Sequence, residues 1–342
     1  MSAQADPARP LALTMGEPGG IGLETAGMAW RARKGRNQPF FLIGDADLLA
    51  ARLRRAGIEA PCRVINSPGE AAQTFRDALP VLPLPEAAGI ADEPGTASRK
   101  NAPAVIAAIR KGVELTLAGQ ACGLVTLPLQ KESLYAASFG FEGHTDFLAS
   151  LARNAGLAAE PVMMLTAKDL RTIPITVHIA IREVPRQLTQ ETIVRQGRIV
   201  ARDLTRFFGI LAPRIAVAGL NPHAGEGGRM GTEEAEIIAP AIATLRKMGI
   251  NAFGPLPADT MFHDQARAAY DAALCMYHDQ ALIAVKTLDF HGGVNVTLGL
   301  PFVRTSPDHG TALDLAGTGK ARPDSLLAAL ELAARMARQV TS

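Results

Sequence analysis

The stretch RIAVAGLNPHAGEGGRMGTEEAEIIAPAIATLRKMG (214–249) decides how this chain is read. A short apolar run of β-forming residues, RIAVAG (214–219), leads into a glycine-rich segment and then into EEAEIIAPAIATLRKMG (233–249), whose apolar residues recur at helical spacing. Strand, loop and helix in succession form the repeating unit of an α/β protein, and basic residues followed by Gly close the helix as helices commonly close.

The alternation extends in both directions. LALTM (11–15), FFLIG (40–44), GLVTLP (123–128), PVMML (161–165) and ALCMY (273–277) read as strands, while AVIAAIRKGVELTLAG (104–119) and SLLAALELAARMARQV (325–340) read as amphipathic helices. PEAAGIADEPGTA (85–97) carries Pro, Gly and acidic residues and reads as an exposed connection. A chain of 342 residues exceeds what one ordinary core serves, so two lobes with a cleft between them are expected.

Composition narrows the function classes. A net charge of +2, dispersed Lys and Arg, and 5% aromatic residues give neither a basic stripe nor a stacking platform for nucleic acid. No segment holds an uninterrupted apolar run long enough to span a bilayer, and the N-terminus lacks the pattern of a signal peptide, which makes the cytoplasm the expected compartment. Cys62, Cys122 and Cys275 are widely separated and read as free thiols rather than as a disulfide framework or a thiolate metal site.

All seven histidines lie at or after position 144. Three of them follow strand-like runs directly: His178 ends IPITVH, His223 sits in LNPHAGEGG, and His278 sits in MYHDQ. Strand ends are where α/β folds build ligand sites, and three imidazoles with an open position suit a catalytic divalent metal. Each alone reads equally as a structural histidine, and their spacing matches no local metal motif.

Other polar residues sit in conspicuous places. GHTD (143–146) opens a helix, so His144 and Thr145 fall at a first turn that can hold an anion or simply carry a cap. Lys286, Asn295 and Arg304 lie in segments apolar enough to be buried strands or strand ends, where a phosphorylated acid or an internal salt bridge would supply their partners. MGEPGGIG (15–22), with Gly19 and Gly20, is a glycine-rich turn between a strand and a helix, and PDHGTALDLAG (307–317), with His309, Gly310 and Thr311, is a second loop expected to enter a helix. Both suit either a nucleotide or tight packing.

Taken together the motifs resemble the 4-hydroxythreonine-4-phosphate dehydrogenase family of pyridoxal phosphate biosynthesis over almost the full length. GHTDF, GLNPHAGEGGRMGTEE, GPLPADTMF, MYHDQAL and VNVTLGLPFVRTSPDHGTALDLAG stand in that family's order and at closely similar separations. The resemblance implies two α/β/α lobes like those of the isocitrate and isopropylmalate dehydrogenases, with the active site in the interdomain cleft. Residues 1–136 with 317–342 would form one lobe, and 137–316 the other. It implies one divalent metal ion (zinc, magnesium, manganese or cobalt) on His178, His223 and His278, and substrate contacts from His144, Thr145, Lys286, Asn295 and Arg304. NAD or NADP would use Gly19, Gly20, His309, Gly310 and Thr311, and Asp279 and Lys286 are the candidates for moving the hydroxyl proton. It further implies a homodimer with a shared active site, in which His278 reaches a metal whose other two ligands belong to the partner subunit. The substrate would be a small phosphorylated hydroxy acid, with no nucleic-acid or membrane partner.

The chain departs from the family pattern in GEPGG, in TLPLQK (126–131), which still retains Lys131, and at Ala281, where Gly is usual. A sister dehydrogenase acting on a phosphorylated erythronate or threonate, or on a carboxylated cis-dihydrodiol, would share the same residues. From other classes, a metal-dependent hydrolase would use the three histidines to activate water, and a non-catalytic phosphate-binding protein would need no metal at all.

Overall fold

A computed structural model describes residues 9–34, 38–130, 140 and 143–341. Lys131 and the expected lobe limit at 136/137 lie outside the described residues. The chain divides into two compact units, Met1–Pro161 with Leu300–Ser342, and Val162–Gly299. The expected second limit, 316/317, falls inside the first unit. Two pairings explain the difference. Strand β12 (Arg304–Pro307) joins β5 (Leu124–Thr126) in parallel, and helix α4 (His144–Asn154) lies against α3 (Ala102–Leu117), so Arg304, His144 and Thr145 belong with the terminal segments.

The first unit carries β1 (Leu11–Thr14), β2 (Phe40–Gly44), β3 (Cys62–Val64) and β4 (Leu79–Pro83) with β5 and β12, in the order β3-β4-β2-β1-β5-β12. Every pairing in this series is parallel. Parallel strands need crossovers and are covered on their faces, which is why β1, β2, β5 and β12 are buried along their whole length. Helices α1 (Gly22–Arg33) and α2 (Ala46–Arg55) supply two of the crossovers, and α8 (Asp324–Thr341) lies on β12. Gly27 permits the close approach of α1 to α2, since a Cβ there would stand 2.4 Å from Leu53 Cδ2.

The second unit carries β6 (Val162–Ala167), β7 (Leu170–Pro174), β8 (Arg214–Ala218), β9 (Asn251–Leu256), β10 (Ala272–Cys275) and β11 (Val294–Leu298), in the order β11-β6-β7-β10-β8-β9. The first two pairings are antiparallel and the rest parallel. Its amphipathic helix α5 (Gln190–Phe208) starts at Thr189, whose hydroxyl accepts from Thr192 N at 3.1 Å, and stops at left-handed Gly209. It packs against α6 (Ala239–Lys247), which one π turn at Glu234–Ile238 precedes. The remaining helix of this unit used below is α7 (His278–Leu288).

The strand and helix readings are matched closely, and none of the three cysteines forms a disulfide among the described residues, with Cys122 and Cys275 buried. PDHGTALDLAG departs from expectation. It leads into a single 3₁₀ turn at Leu313–Leu315, and the helix begins only at Asp324, because Gly317 and Gly319 adopt left-handed φ values of 79° and 70° that end the turn. Among the described residues, no helix is long and apolar enough to cross a membrane.

One buried cation organises the first unit's glycine turn. Arg52 on α2 is 0% exposed; its Nη1 donates to Gly20 O and its Nη2 to Pro18 O, each at 2.7 Å, while Nε donates to Asp92 Oδ1 at 2.6 Å. Asp92 belongs to the connection read as exposed, and Arg52, with Arg55 on its other oxygen, clips that connection down. Removing Arg52 leaves the buried Glu24 carboxylate, 3.9 Å from Arg52 Nη1, without its cation and two carbonyls without their donor, while Asp92 keeps Arg55, so Arg52→Ala is expected to lower unfolding free energy by about 3–5 kcal/mol in urea titrations. Arg52→Lys should restore little, since an ammonium cannot fork to three acceptors in these directions. A loss below about 1 kcal/mol in the Ala variant would contradict this role.

Candidate functional site

Three neighbouring parallel strands set the histidines of the second unit. Ala273 of β10 lies opposite Thr172 of β7 on one side and Ala216 of β8 on the other. All three strands therefore run out at one edge of the sheet, and His178, His278 and His223 follow their ends. The β7–β10 pairing persists beyond the strands, with Ile175 N donating to Cys275 O at 2.8 Å and Thr176 Oγ1 to Met276 O at 2.8 Å. That fixes the two chains as they approach His178 and His278.

The consequence is a histidine pair. The rings of His178 and His278 stand 5.7 Å apart between centroids, tilted by 46°, and both line a cavity of about 400 Å³ with Tyr277, Asp279, Val177 and Ile181. His278 opens α7, and its Nδ1 lies 2.7 Å from Asp279 Oδ1. A carboxylate on Nδ1 fixes the tautomer and leaves Nε2 as the free nitrogen, the arrangement of a metal-binding imidazole. Imidazole nitrogen is a donor that suits a divalent cation, and the two rings are near neighbours at one end of the sheet.

His223 is presented differently. It is exposed, and it opens a run of left-handed backbone with φ values of 53°, 51°, 80°, 43° and 66° from His223 to Gly227. Left-handed conformation costs roughly 1–2 kcal/mol for each non-glycine residue, here His223, Ala224 and Glu226, so surrounding contacts must impose it. Those contacts come from Glu234, 6% exposed, whose Oε1 accepts from Leu220 N at 2.8 Å and from Asn221 N at 2.7 Å. Gln280 on α7 adds a tie: its Nε2 donates to Gly219 O at 2.9 Å and its Oε1 accepts from Met276 N at 2.6 Å. Among the described residues of one chain, no three His, Cys, Asp or Glu side chains are grouped to hold a metal. The structure thus brings together His178 and His278 and leaves His223 outside that pair.

The proton-transfer candidates separate along α7. Asp279 and Lys286 are seven residues apart, on one helical face but about 10 Å along the axis, so one proton cannot meet both. Asp279 is engaged by His278, whereas the Lys286 ammonium stands 5.2 Å from the Phe290 ring centroid. Lys286 was expected in or at the end of a strand and instead sits in the last turn of this helix. Asn295 is on β11, opposite Leu165, and its Oδ1 is buried with no hydrogen-bond partner. A buried acceptor of this kind suits a hydrogen-bond donor on a ligand.

In the first unit Arg304 is the prominent cation. It is 3% exposed, and its Nη2 donates to Thr126 Oγ1 at 2.6 Å. Burial disfavours its charge and pushes the guanidinium down to about 9, which still leaves it a cation at neutral pH. Helix α4 starts at His144 with Gly143 as its N-cap and no side-chain cap, so Thr145 is not the capping residue.

The two glycine loops differ in character. Residues 16–20 are buried, and their amides turn inward: Glu17 N donates to Pro128 O, Gly19 N to Glu17 Oε1, Gly20 N to Glu17 O and Ile21 N to Thr311 O. A Cβ on Gly19 would stand 2.0 Å from Thr96 O, and one on Gly20 2.9 Å from Thr311 O. Close packing therefore accounts for Gly19 and Gly20 in this structure. The second loop is open. Gly310 is exposed with nothing near its Cβ position, and His309 Nε2 is a buried atom with no hydrogen-bond partner, while its Nδ1 meets Gly310 O at 2.9 Å. Thr311 Oγ1 donates to Gln130 Oε1 at 3.2 Å.

Comparison with known proteins settles the family. Residues 36–333 match the model of pyridoxal phosphate biosynthetic protein PdxA. The chain belongs to the PdxA family. A 4-hydroxythreonine-4-phosphate dehydrogenase from Caulobacter vibrioides is 54% identical, over 96% of this chain and 98% of that protein. Among solved structures, a 4-hydroxythreonine-4-phosphate dehydrogenase from Klebsiella pneumoniae is 38% identical with a TM-score of 0.84, covering 96% of this chain and 99% of that one. A terephthalate 1,2-cis-dihydrodiol dehydrogenase from Burkholderia xenovorans is 28% identical with a TM-score of 0.63, covering 96% and 98%.

Sequence reasoning passed over Arg52, Glu234 and Gln280. Glu234 follows Glu233 at the head of a helical run, where acidic residues ordinarily face solvent, so only its partner Asn221 in the glycine-rich segment gave a signal. Phosphate held by the Arg304 guanidinium would favour the folded state, so inorganic phosphate is expected to raise the Tm of the protein. Arg304→Met should lose that gain, as read by thermal melts. Equal gains in both proteins would contradict the anion role.

Proposed function

We propose that this chain is an NAD- or NADP-dependent 4-hydroxythreonine-4-phosphate dehydrogenase, oxidising 4-phosphooxy-L-threonine to 2-amino-3-oxo-4-phosphooxybutanoate, which then loses carbon dioxide. Membership of the PdxA family carries the reading, and the position of His178, His223 and His278 after the ends of three neighbouring strands, with Asp279 on His278 Nδ1, supports the metal dependence. His178, His223 and His278 would hold one divalent cation. When bound, the nicotinamide accepts a hydride from the carbinol carbon, and the cation lowers the cost of the alkoxide.

The chain's own residues bind and orient. Arg304 would take an anionic end of the substrate through its planar fork, with His144 and Thr145 at the first turn of α4 adding donors. Asn295 Oδ1 would accept a hydrogen bond from the substrate, and Lys286 would act as a point charge or take the hydroxyl proton. Asp279, held on His278, orients that imidazole, which leaves Lys286 the better placed of the two for proton transfer. His309, Gly310 and Thr311 form the open loop for the dinucleotide, and Gly19 and Gly20 would shape the neighbouring turn.

The active form would be a homodimer with a shared site. Ile181 beside the histidine cavity, Ile283 on α7 and Phe290 just after it are 73%, 65% and 68% exposed, apolar surface of the kind a second copy covers. Because no three such ligands are grouped within one chain among the described residues, this supports a metal site shared between subunits, with His278 reaching the two ligands of the other copy.

The test is the absorbance of reduced nicotinamide with 4-phosphooxy-L-threonine, run with NAD and with NADP against phosphorylated erythronate, threonate and a carboxylated dihydrodiol. The expected result is turnover with the threonine ester, abolished by a chelator and restored by a divalent cation. Turnover confined to another alcohol would move the assignment to a sister dehydrogenase, and phosphate release without cofactor reduction would point to a hydrolase.

A further inference from the structure

The loop that carries His223 lacks an apolar anchor, for among residues 221–231 only Gly225 is buried. What lies under Gly225 is a carboxylate: a Cβ built there would stand 2.6 Å from Glu234 Oε2. Glu234 has no ion-pair partner among the described residues. Its charge is met by the Leu220 and Asn221 amides on Oε1 and by Asn221 Nδ2 on Oε2 at 3.0 Å. The same Asn221 Nδ2 donates to Glu233 Oε2 at 2.7 Å, so both donor positions of that side chain are occupied.

A buried carboxylate with three N–H donors and no cation is placed for the directions of its acceptors. It fixes the peptide planes at Leu220 and Asn221, two residues before His223, at the point where the backbone turns left-handed. Gly219, Gly225 and Gly231 leave it room: a Cβ at Gly219 would come within 3.1 Å of Glu234 Oε1, and one at Gly231 within 2.3 Å of Asn221 Nδ2. We propose that Glu234 is a positioning residue for His223, its carboxylate setting the direction in which that imidazole leaves the loop toward the divalent cation. The inference rests on the assignment of His223 as a metal ligand.

Glutamine at this position would keep one acceptor and turn an amide donor toward Asn221 Nδ2, so that two donors face each other. Alanine would remove both acceptors. The experiment is titration of the metal-free, full-length protein with cobalt(II), reading affinity and the visible ligand-field spectrum, with circular dichroism as the check on folding. Glu234→Gln is expected to weaken cobalt binding about 10-fold and Glu234→Ala about 100-fold, with an altered spectrum, the range found when groups supporting a metal ligand are removed. A purely structural role would lower the melting temperature and leave affinity and spectrum of the folded protein unchanged. Cobalt binding within about twofold of the parent protein in a folded variant overturns the proposal; should the Ala variant not fold, the Gln variant decides. His223→Ala is titrated alongside. Undiminished binding there overturns the ligand assignment itself and this inference with it, whereas loss there with retention in the Glu234 variants overturns this inference alone.

Discussion

The parallel pairing of β7, β10 and β8 is the constraint on which the site of the second unit depends. Thr172, Ala273 and Ala216 form one row across the three strands, and the proposed ligands lie six, five and seven residues beyond it. Side chains alternate with period two along a strand, so a slip of one residue in either pairing would exchange the two buried faces and misplace a histidine. The ladder thus supplies the coarse position, and the Thr176 and Ile175 bonds to β10 carry it as far as the His178–His278 pair.

Finer placement comes from buried ions acting on loops. In the first unit a guanidinium gathers the carbonyls of Pro18 and Gly20, and in the second a carboxylate gathers the amides of Leu220 and Asn221. The two devices have opposite charge and one logic: each holds backbone that no strand or helix holds, and each works against glycines that permit close approach. Arg304 is a third buried ion of another kind. Burial lowers its affinity for its proton, and its Nη2 is engaged by Thr126.

Much of this was legible in the sequence because it rests on periodicity. RIAVAG and ALCMY became β8 and β10, SLLAALELAARMARQV became α8, and each histidine that closed a strand-like run does follow a strand. What was illegible depends on contacts between distant residues. Arg52 lies more than thirty residues from the carbonyls it holds, and on a lone helix it reads as a solvated charge. The MGEPGGIG turn reads from sequence as either a nucleotide loop or tight packing, and its amides are spent on Pro128, Glu17 and Thr311, partners that composition does not reveal. The left-handed run at His223 was likewise hidden, since three of its members are non-glycine, and the chain ahead of them is held by Glu234 and Gln280, distant in sequence.

Among the described residues no three such ligands gather within one chain, and the account joins His178 and His223 of one subunit with His278 of the other in one cation site. Mixed dimers test this directly. His223→Ala and His278→Ala homodimers each lack a complete set of ligands; when the two proteins are unfolded together and refolded, a mixed dimer would regain one intact site if His223 and His278 of each site come from different subunits. The account expects bound metal to return in about one site of every two in the purified mixed dimer. Mixed dimers as empty as both parents would show that the ligands come from a single chain or are not these residues, and would contradict the account.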